Sequence, residues 1–310
     1  MVVEIVAARR DIGLHDADRF HSCEIFERLH KRWLVEHLRQ DYAQRRKGFF
    51  FPRVLRANDR LPRMEQGEYR RLYELEETLW WFRGMERISM ALLDRFVDTE
   101  RKLDLLDAGC GTGGMLSVLA RYGTVTGLDR SPDALRFARE RSHDALTRGS
   151  VARLPFTDDS FDLVTSFDVL YHLGVSDDVE ALREIARVVR PGGTFLVRVP
   201  AFEALRSQHD EAVHTRQRYG KRELTEKLQS AGLEPVFVSF ANCLLFPVAV
   251  LRRGAERVFG SGREGSEVEA VGPVLNKTLL IPLRIEAWLL RRTALPFGLS
   301  LVAVARKPGA

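Results

Sequence analysis

The run LDLLDAGCGTGG, residues 103–114, restricts the fold more than any other stretch. An apolar segment stops at Asp107, and glycines follow at 109, 111, 113 and 114. A strand that ends on a carboxylate and turns through bare backbone offers one acid and several peptide groups at a sheet edge, where open α/β proteins bind nucleotides. The chain around it alternates in the same style. LDLLDAG, TVTGLDRS, SFDLVTSFDVLYHL, TFLVRVP, EPVFVSF and LSLVAVARK read as strands, with SFDLVTSFDVLYHL central. GGMLSVLARYG, SPDALRFARERS, DDVEALREIARVVRPGG and KRELTEKLQSAG read as the helices between them. Ser131 suits an N-cap with Pro132 at the first helical position, and Pro191 with Gly192 is expected to end the helix before TFLVRVP. Such alternation implies a parallel sheet covered on both faces.

The 310 residues suffice for one sizeable α/β domain plus an appendage. A formal charge of +5 mildly favours anionic neighbours, but no dense basic stripe or RNA-binding motif accompanies it, which disfavours nucleic acid. Cys23, Cys110 and Cys243 are an odd number without metal-ligand spacing, the pattern of a reducing compartment. MVVEIVAARRD lacks the apolar core of a signal peptide, and Asn242 and Pro247 interrupt the longest apolar run, 236–251. The expectation is a cytoplasmic protein, with peripheral contact to a membrane left open.

Gly109, Gly111 and Gly114 satisfy G-x-G-x-x-G, the spacing of nicotinamide and flavin sites. Asp107 argues against that ligand, because a carboxylate facing the crevice repels a pyrophosphate and holds a cation. Further landmarks follow: L-D at 128–129, L-P-F at 154–156, S-F-D-L-V at 160–164, S-F-D-V-L-Y-H at 166–172 and R-P-G-G-T at 190–194. Together with D-A-G-C-G-T-G at 107–113, these make the chain from about 64 to 306 resemble the class I S-adenosylmethionine-dependent methyltransferases, specifically the methyltransferase type 11 group. The resemblance implies a Rossmann-like α/β fold: a seven-stranded, mostly parallel sheet in the order 3-2-1-4-5-7-6, last strand antiparallel, with helices on both faces.

It also implies a site for S-adenosyl-L-methionine. Asp107 and Gly109 would meet the amino-acid moiety, Gly111 and Gly113 would let backbone approach it, and Asp129 would accept both ribose hydroxyls. Leu154 and its neighbours would cover the adenine; where the family often has an acid, this chain has Ser150, with Val151 and Ala152 offering backbone contacts. Arg130 and Phe167, beside two strand ends, join this set. Trp81, in the WWFR sequence before the first strand, would cover the methionine side, and Arg83 or Arg87 would reach its carboxylate.

Acceptor chemistry is less constrained. His172, at the carboxyl edge of the sheet, competes with His209 and His214 as a base, and Asp210 could tune His209. His209 and His214 have no third ligand nearby in sequence, so no metal is expected. Arg216 and Arg218 either bind an anionic acceptor or face water. Residues 1–62 lie outside the resemblance as an N-terminal helical extension of unknown role, with homodimerisation one candidate, and 63–310 are expected to form the methyltransferase domain. Within it, 241–297 is a helical insert whose Leu279, Leu280, Leu283, Trp288 and Leu289 suggest one apolar face flanked by Arg284, Arg291 and Arg292. That face could roof a lipid-like acceptor, pair with a second subunit, lie on a membrane or cover the sheet. The expected function is methyl transfer to a small-molecule or lipid-like acceptor at oxygen. RNA or protein methylation, NAD(P)-dependent oxidoreduction and non-catalytic cofactor binding remain as alternatives.

Overall fold

The computed structural model describes residues 66–309, apart from 99, 208, 209, 211, 212 and 260–270. The N-terminal extension, most of the glycine-rich loop of the insert, and His209 lie outside the described residues. Two helices, α1 (Gln66–Leu75) and α2 (Trp80–Phe96), precede the sheet. The sequence reads as one helical unit here, but the chain breaks between them, so Trp80 and Trp81 start α2 and do not end a helix.

The strands are β1 (Leu103–Ala108), β2 (Gly123–Asp129), β3 (Leu146–Arg148), β4 (Phe161–Phe167), β5 (Val189–Pro200), β6 (Glu234–Ala241) and β7 (Ser300–Arg306). Their order is β3-β2-β1-β4-β5-β7-β6, as the resemblance implies. β1 to β5 pair in parallel, and β7 runs antiparallel to both neighbours. Period-two alternation divides the core. Leu106, Val197 and Leu301 face one cluster with α5 (Asp178–Val188) and α6 (Lys221–Ser230). Leu105, Leu196 and Val302 face the other with α2.

Three local expectations fail for identifiable reasons. The glycine turn leads into a single helical turn, α3 (Leu116–Leu119), because the chain must re-enter the sheet at Gly123, where a Cβ would stand 2.0 Å from the Leu103 carbonyl oxygen. Pro191 and Gly192 lie inside β5; a register shift between Phe161 and Leu163 absorbs them, and α5 ends earlier at Val188. β4 stops at Phe167, so Asp168 to His172 form turns at the carboxyl edge. The helix α4 (Pro132–Glu140) starts as expected: Ser131 Oγ accepts the Ala134 N–H, with Pro132 at its first turn.

The insert contains α7 (Phe246–Phe259) and α8 (Pro273–Leu290). α8 lies so close to α2 that a Cβ on Gly84 would meet Leu283 Cδ1 at 2.1 Å. Its apolar residues do not make one face. Leu283, Ala287 and Leu290 are buried, whereas Ile281, Ile285 and Trp288 project outward, Trp288 at 55% exposure. Glu286, fully buried, accepts the Leu244 N–H at 2.8 Å and pins the start of the insert to α8.

Candidate functional site

The carboxyl ends of β1, β2, β4 and β5 open into a cavity of about 700 Å³, walled on the far side by α1 and the start of α2. Gly109, with φ +94°, packs so tightly that a Cβ would stand 2.3 Å from Val169 Cγ2. Gly111, with φ +55°, meets nothing within 4 Å. Substituting alanine should therefore separate two effects. Gly109→Ala should lower the melting temperature sharply through the clash and strain. Gly111→Ala should cost only about 1–2 kcal/mol of stability, yet weaken ligands that lie on the turn. Thermal melts and binding isotherms on both variants check this; equal effects on stability would contradict the geometry.

Three carboxylates surround the turn. Asp107 is buried on β1 and accepts the Thr165 hydroxyl at 2.8 Å. Burial pushes its carboxyl up to about 7, against the Thr165 hydrogen bond and the Arg198 charge. Asp129, at the end of β2, accepts the Gly111 N–H at 3.0 Å through one oxygen and the Ser131 N–H at 2.8 Å through the other. Each oxygen retains a lone pair toward the cavity. Burial raises its pKa too. Glu76, just after α1, receives the Thr112 hydroxyl, and burial raises it above the ordinary range. Arg141, the cation at this turn, is already paired with Glu76, and the one-turn α3 supplies little dipole to attract a pyrophosphate. A cationic nucleoside fits: a sugar diol has Asp129, an ammonium has Asp107, and the open side of Gly111 leaves room.

Sequence reasoning missed Glu76, Tyr69 and Arg141. Arg141 donates to the Thr112 and Tyr73 carbonyls, so it ties α1 to the turn. Tyr69 lines the cavity from α1 and hydrogen-bonds Ser131. Their only signal was a charged or aromatic residue on an amphipathic helix, which does not name a partner.

Of the expected cofactor residues, Trp81, Asp107, Gly109, Gly111, Asp129, Arg130, Ser150, Val151 and Phe167 line the cavity. Four do not. Gly113 packs its turn on Ala138; Ala152 donates its N–H to Ser150 Oγ; Leu154 is buried, its N–H held by Glu184. Arg83 itself does not line the cavity; it pairs at 2.6 Å with Glu86, which does. Trp80 and Trp81 both pack against the core; the Trp80 backbone N–H donates to Asn276 Oδ1, and Trp81 also lines the cavity.

His172 and His214 both reach the cavity wall. The His172 ring stacks on Tyr171 at 4.4 Å, and burial lowers its pKa despite hydrogen bonds to backbone at Val213 and Asp168. Burial thus favours its neutral form. Asp210 stands elsewhere: it receives Arg218 Nε at 2.8 Å and Nη2 at 3.0 Å, both partners buried. Arg218 also donates to the Ala201 carbonyl, and Arg216 lies 3.3 Å from Asp178. These contacts hold the loop after β5, and Asp210, Arg216 and Arg218 are absent from the lining of the cavity. Burial alone would raise the Asp210 carboxyl, but Arg218 holds it below the ordinary range. Arg218→Met, which strands a buried carboxylate, should cost about 3–5 kcal/mol in denaturant unfolding and leave donor affinity of the folded protein unchanged.

The fold and the acidic glycine turn define an α/β protein that holds a cationic nucleoside at the carboxyl edge of its sheet. The methyltransferase-domain family matches residues 106–197. A probable S-adenosylmethionine-dependent methyltransferase of Mycobacterium tuberculosis is 32% identical over 209 residues, covering 65% of this chain and 72% of its own length. The chain belongs to the S-adenosylmethionine-dependent methyltransferases. A fatty-acid O-methyltransferase of Mycolicibacterium smegmatis is 44% identical over 98 residues, covering 30% of this chain and 35% of that protein. A probable S-adenosylmethionine-dependent methyltransferase of the same organism is matched over 62% of its length, so some relatives extend well beyond the shared region. Among solved structures, the methyltransferase in a complex with the Haloferax volcanii Trm112 activator superposes with a TM-score of 0.53 at 23% identity, over 80% of this chain and 99% of that one. That likeness supports the fold alone.

Proposed function

We propose that this protein transfers the methyl group of S-adenosyl-L-methionine to oxygen on a small-molecule or lipid-like acceptor. The observation that carries the reading is one cavity with Asp107 and Asp129 at its glycine turn and His172 in its wall. Bound there, the donor supplies a methyl group on a positively charged sulfur, already a good leaving group. The chain's own task is then positioning. Asp129 fixes the sugar, Asp107 fixes the ammonium, and Trp81 closes the methionine side. His172, whose neutral form burial favours, is the group suited to take a proton from an acceptor hydroxyl, with His214 beside it. His209 stays in the candidate set on its sequence position alone. Incubating the protein with methyl-labelled donor and whole-cell extract, followed by separation into metabolite, lipid, RNA and protein fractions and mass spectrometry, tests the reading. A labelled O-methyl product supports it; label found only in RNA or protein would favour the other acceptors.

A lipid-like acceptor agrees with α8. Val274, Ile281, Ile285 and Trp288 recur at helical spacing on its outer face, at 47–78% exposure. Lys277, Arg284, Arg291 and Arg292 flank them, and the helix's one acid, Glu286, is buried. An apolar stripe with basic flanks suits an anionic bilayer. The protein should float with phosphatidylglycerol vesicles at low salt, and the double variant Ile285→Asp/Trp288→Asp should not. Equal flotation of the two would dismiss the membrane contact.

A further inference from the structure

Arg198 breaks the pattern of its strand. In TFLVRVP the neighbours Val197 and Val199 are buried in the core, and Arg198 is itself only 7% exposed. Nε and Nη2 both donate to Asp168 Oδ2, at 2.9 and 2.6 Å, and the guanidinium lies 5.1 Å from the centre of the Phe167 ring. Nη1 is buried without a partner, and the residue lines the cavity. Asp168 adopts a left-handed backbone, φ +59°, stabilised by its N–H on the Arg198 carbonyl. A guanidinium fork buried with one arm unused is costly unless a ligand takes that arm.

Its place on the sheet says which ligand. Asp129 ends β2 and Asp107 lies on β1, so the donor extends from β2 across β1. Arg198 lies on β5, two strand spacings, roughly 10 Å, beyond β1. That is the acceptor's side. The free arm sets the valence. Asp168 already takes Nε and Nη2 of Arg198, so a single arm, Nη1, remains to pair with one carboxylate.

Resting on the reading of the cavity as a donor–acceptor site, we propose that Arg198 Nη1 anchors a carboxylate carried by the methyl acceptor. The substrate is a monoanionic organic acid and not a neutral molecule. Arg198 is then a specificity residue, and His172 serves the oxygen that is methylated.

Protein saturated with S-adenosylhomocysteine is titrated with benzoate and with benzamide, a neutral near-isostere. Benzoate should bind on the order of tenfold tighter. Arg198→Met should erase the preference. Asp168→Asn, which frees the guanidinium, should strengthen benzoate several-fold, a gain that a misfolded variant would not give. Equal affinity for the two probes, or no gain in Asp168→Asn, overturns the proposal. So does an Arg198→Met protein that loses S-adenosylhomocysteine and keeps benzoate, because the arginine would then serve the donor. Failure of the unmodified protein to bind S-adenosylhomocysteine defeats the donor reading itself and is seen before any benzoate is added.

Discussion

Below about pH 7, affinity for S-adenosylhomocysteine is expected to fall about tenfold per pH unit, because Asp107 must lose a proton to hold the ligand's ammonium. In the protein alone, burial raises this carboxyl to about 7. A bound cation favours the ionised form and pulls the value down. Binding near neutrality therefore releases a proton, and the affinity gained as pH rises levels off above about 7. The same shift has the opposite sign for folding. A raised carboxyl stabilises the protein alone most at low pH, and that contribution is lost as pH rises through 7. Asp107→Asn keeps an oxygen for the Thr165 hydroxyl and removes the charge. It should weaken the ligand by about ten- to a hundredfold at pH 8 and flatten the pH dependence. Calorimetry in two buffers of different ionisation enthalpy reads the proton directly. A pH-independent affinity in the unmodified protein would remove Asp107 from the site.

Asp129→Ala should have the larger effect on affinity. Its two oxygens do two jobs at once. They hold the Gly111 and Ser131 N–H groups, and they offer the remaining lone pairs to a vicinal diol. Losing two charge-assisted hydrogen bonds to the sugar should weaken S-adenosylhomocysteine on the order of hundredfold or more. The loss of the backbone contacts adds roughly 1–3 kcal/mol of destabilisation, since Ser131 also caps α4. Comparing adenosine with 2′,3′-dideoxyadenosine separates the two effects. The unmodified protein should prefer adenosine strongly, and Asp129→Ala should bind both weakly and alike. A preserved preference would mean that another group holds the diol.

The parts of this site that could be read from the sequence are those carried by local punctuation. Glycines at positive φ, a carboxylate ending a strand, and a serine–proline helix start each fix backbone within a few residues. The buried parallel strands then leave few topologies. Residues that act across the fold could not be read this way. Glu76 and Arg141 meet over the glycine turn from distant segments, and each alone is an ordinary charge just past a helix end. Asp210 and Arg218 look like a titratable cluster suited to chemistry, yet they satisfy one another in a buried loop. Arg83 was legible in principle, since Glu86 stands at the spacing of a helical ion pair. Arg198 was too, as a charge inside an apolar strand. The outward stripe of α8 escaped because its buried and exposed apolar residues occupy opposite faces, and composition alone merges them.

The central claim is that the cavity holds an adenosine derivative whose ammonium meets Asp107 and whose sugar diol meets Asp129. Calorimetric titration of the protein with S-adenosylhomocysteine and, separately, with NADH tests it most directly. The account predicts saturable one-to-one binding of the first, lost in Asp129→Ala, and no binding of the second. Tight binding of NADH with no heat from S-adenosylhomocysteine would contradict it.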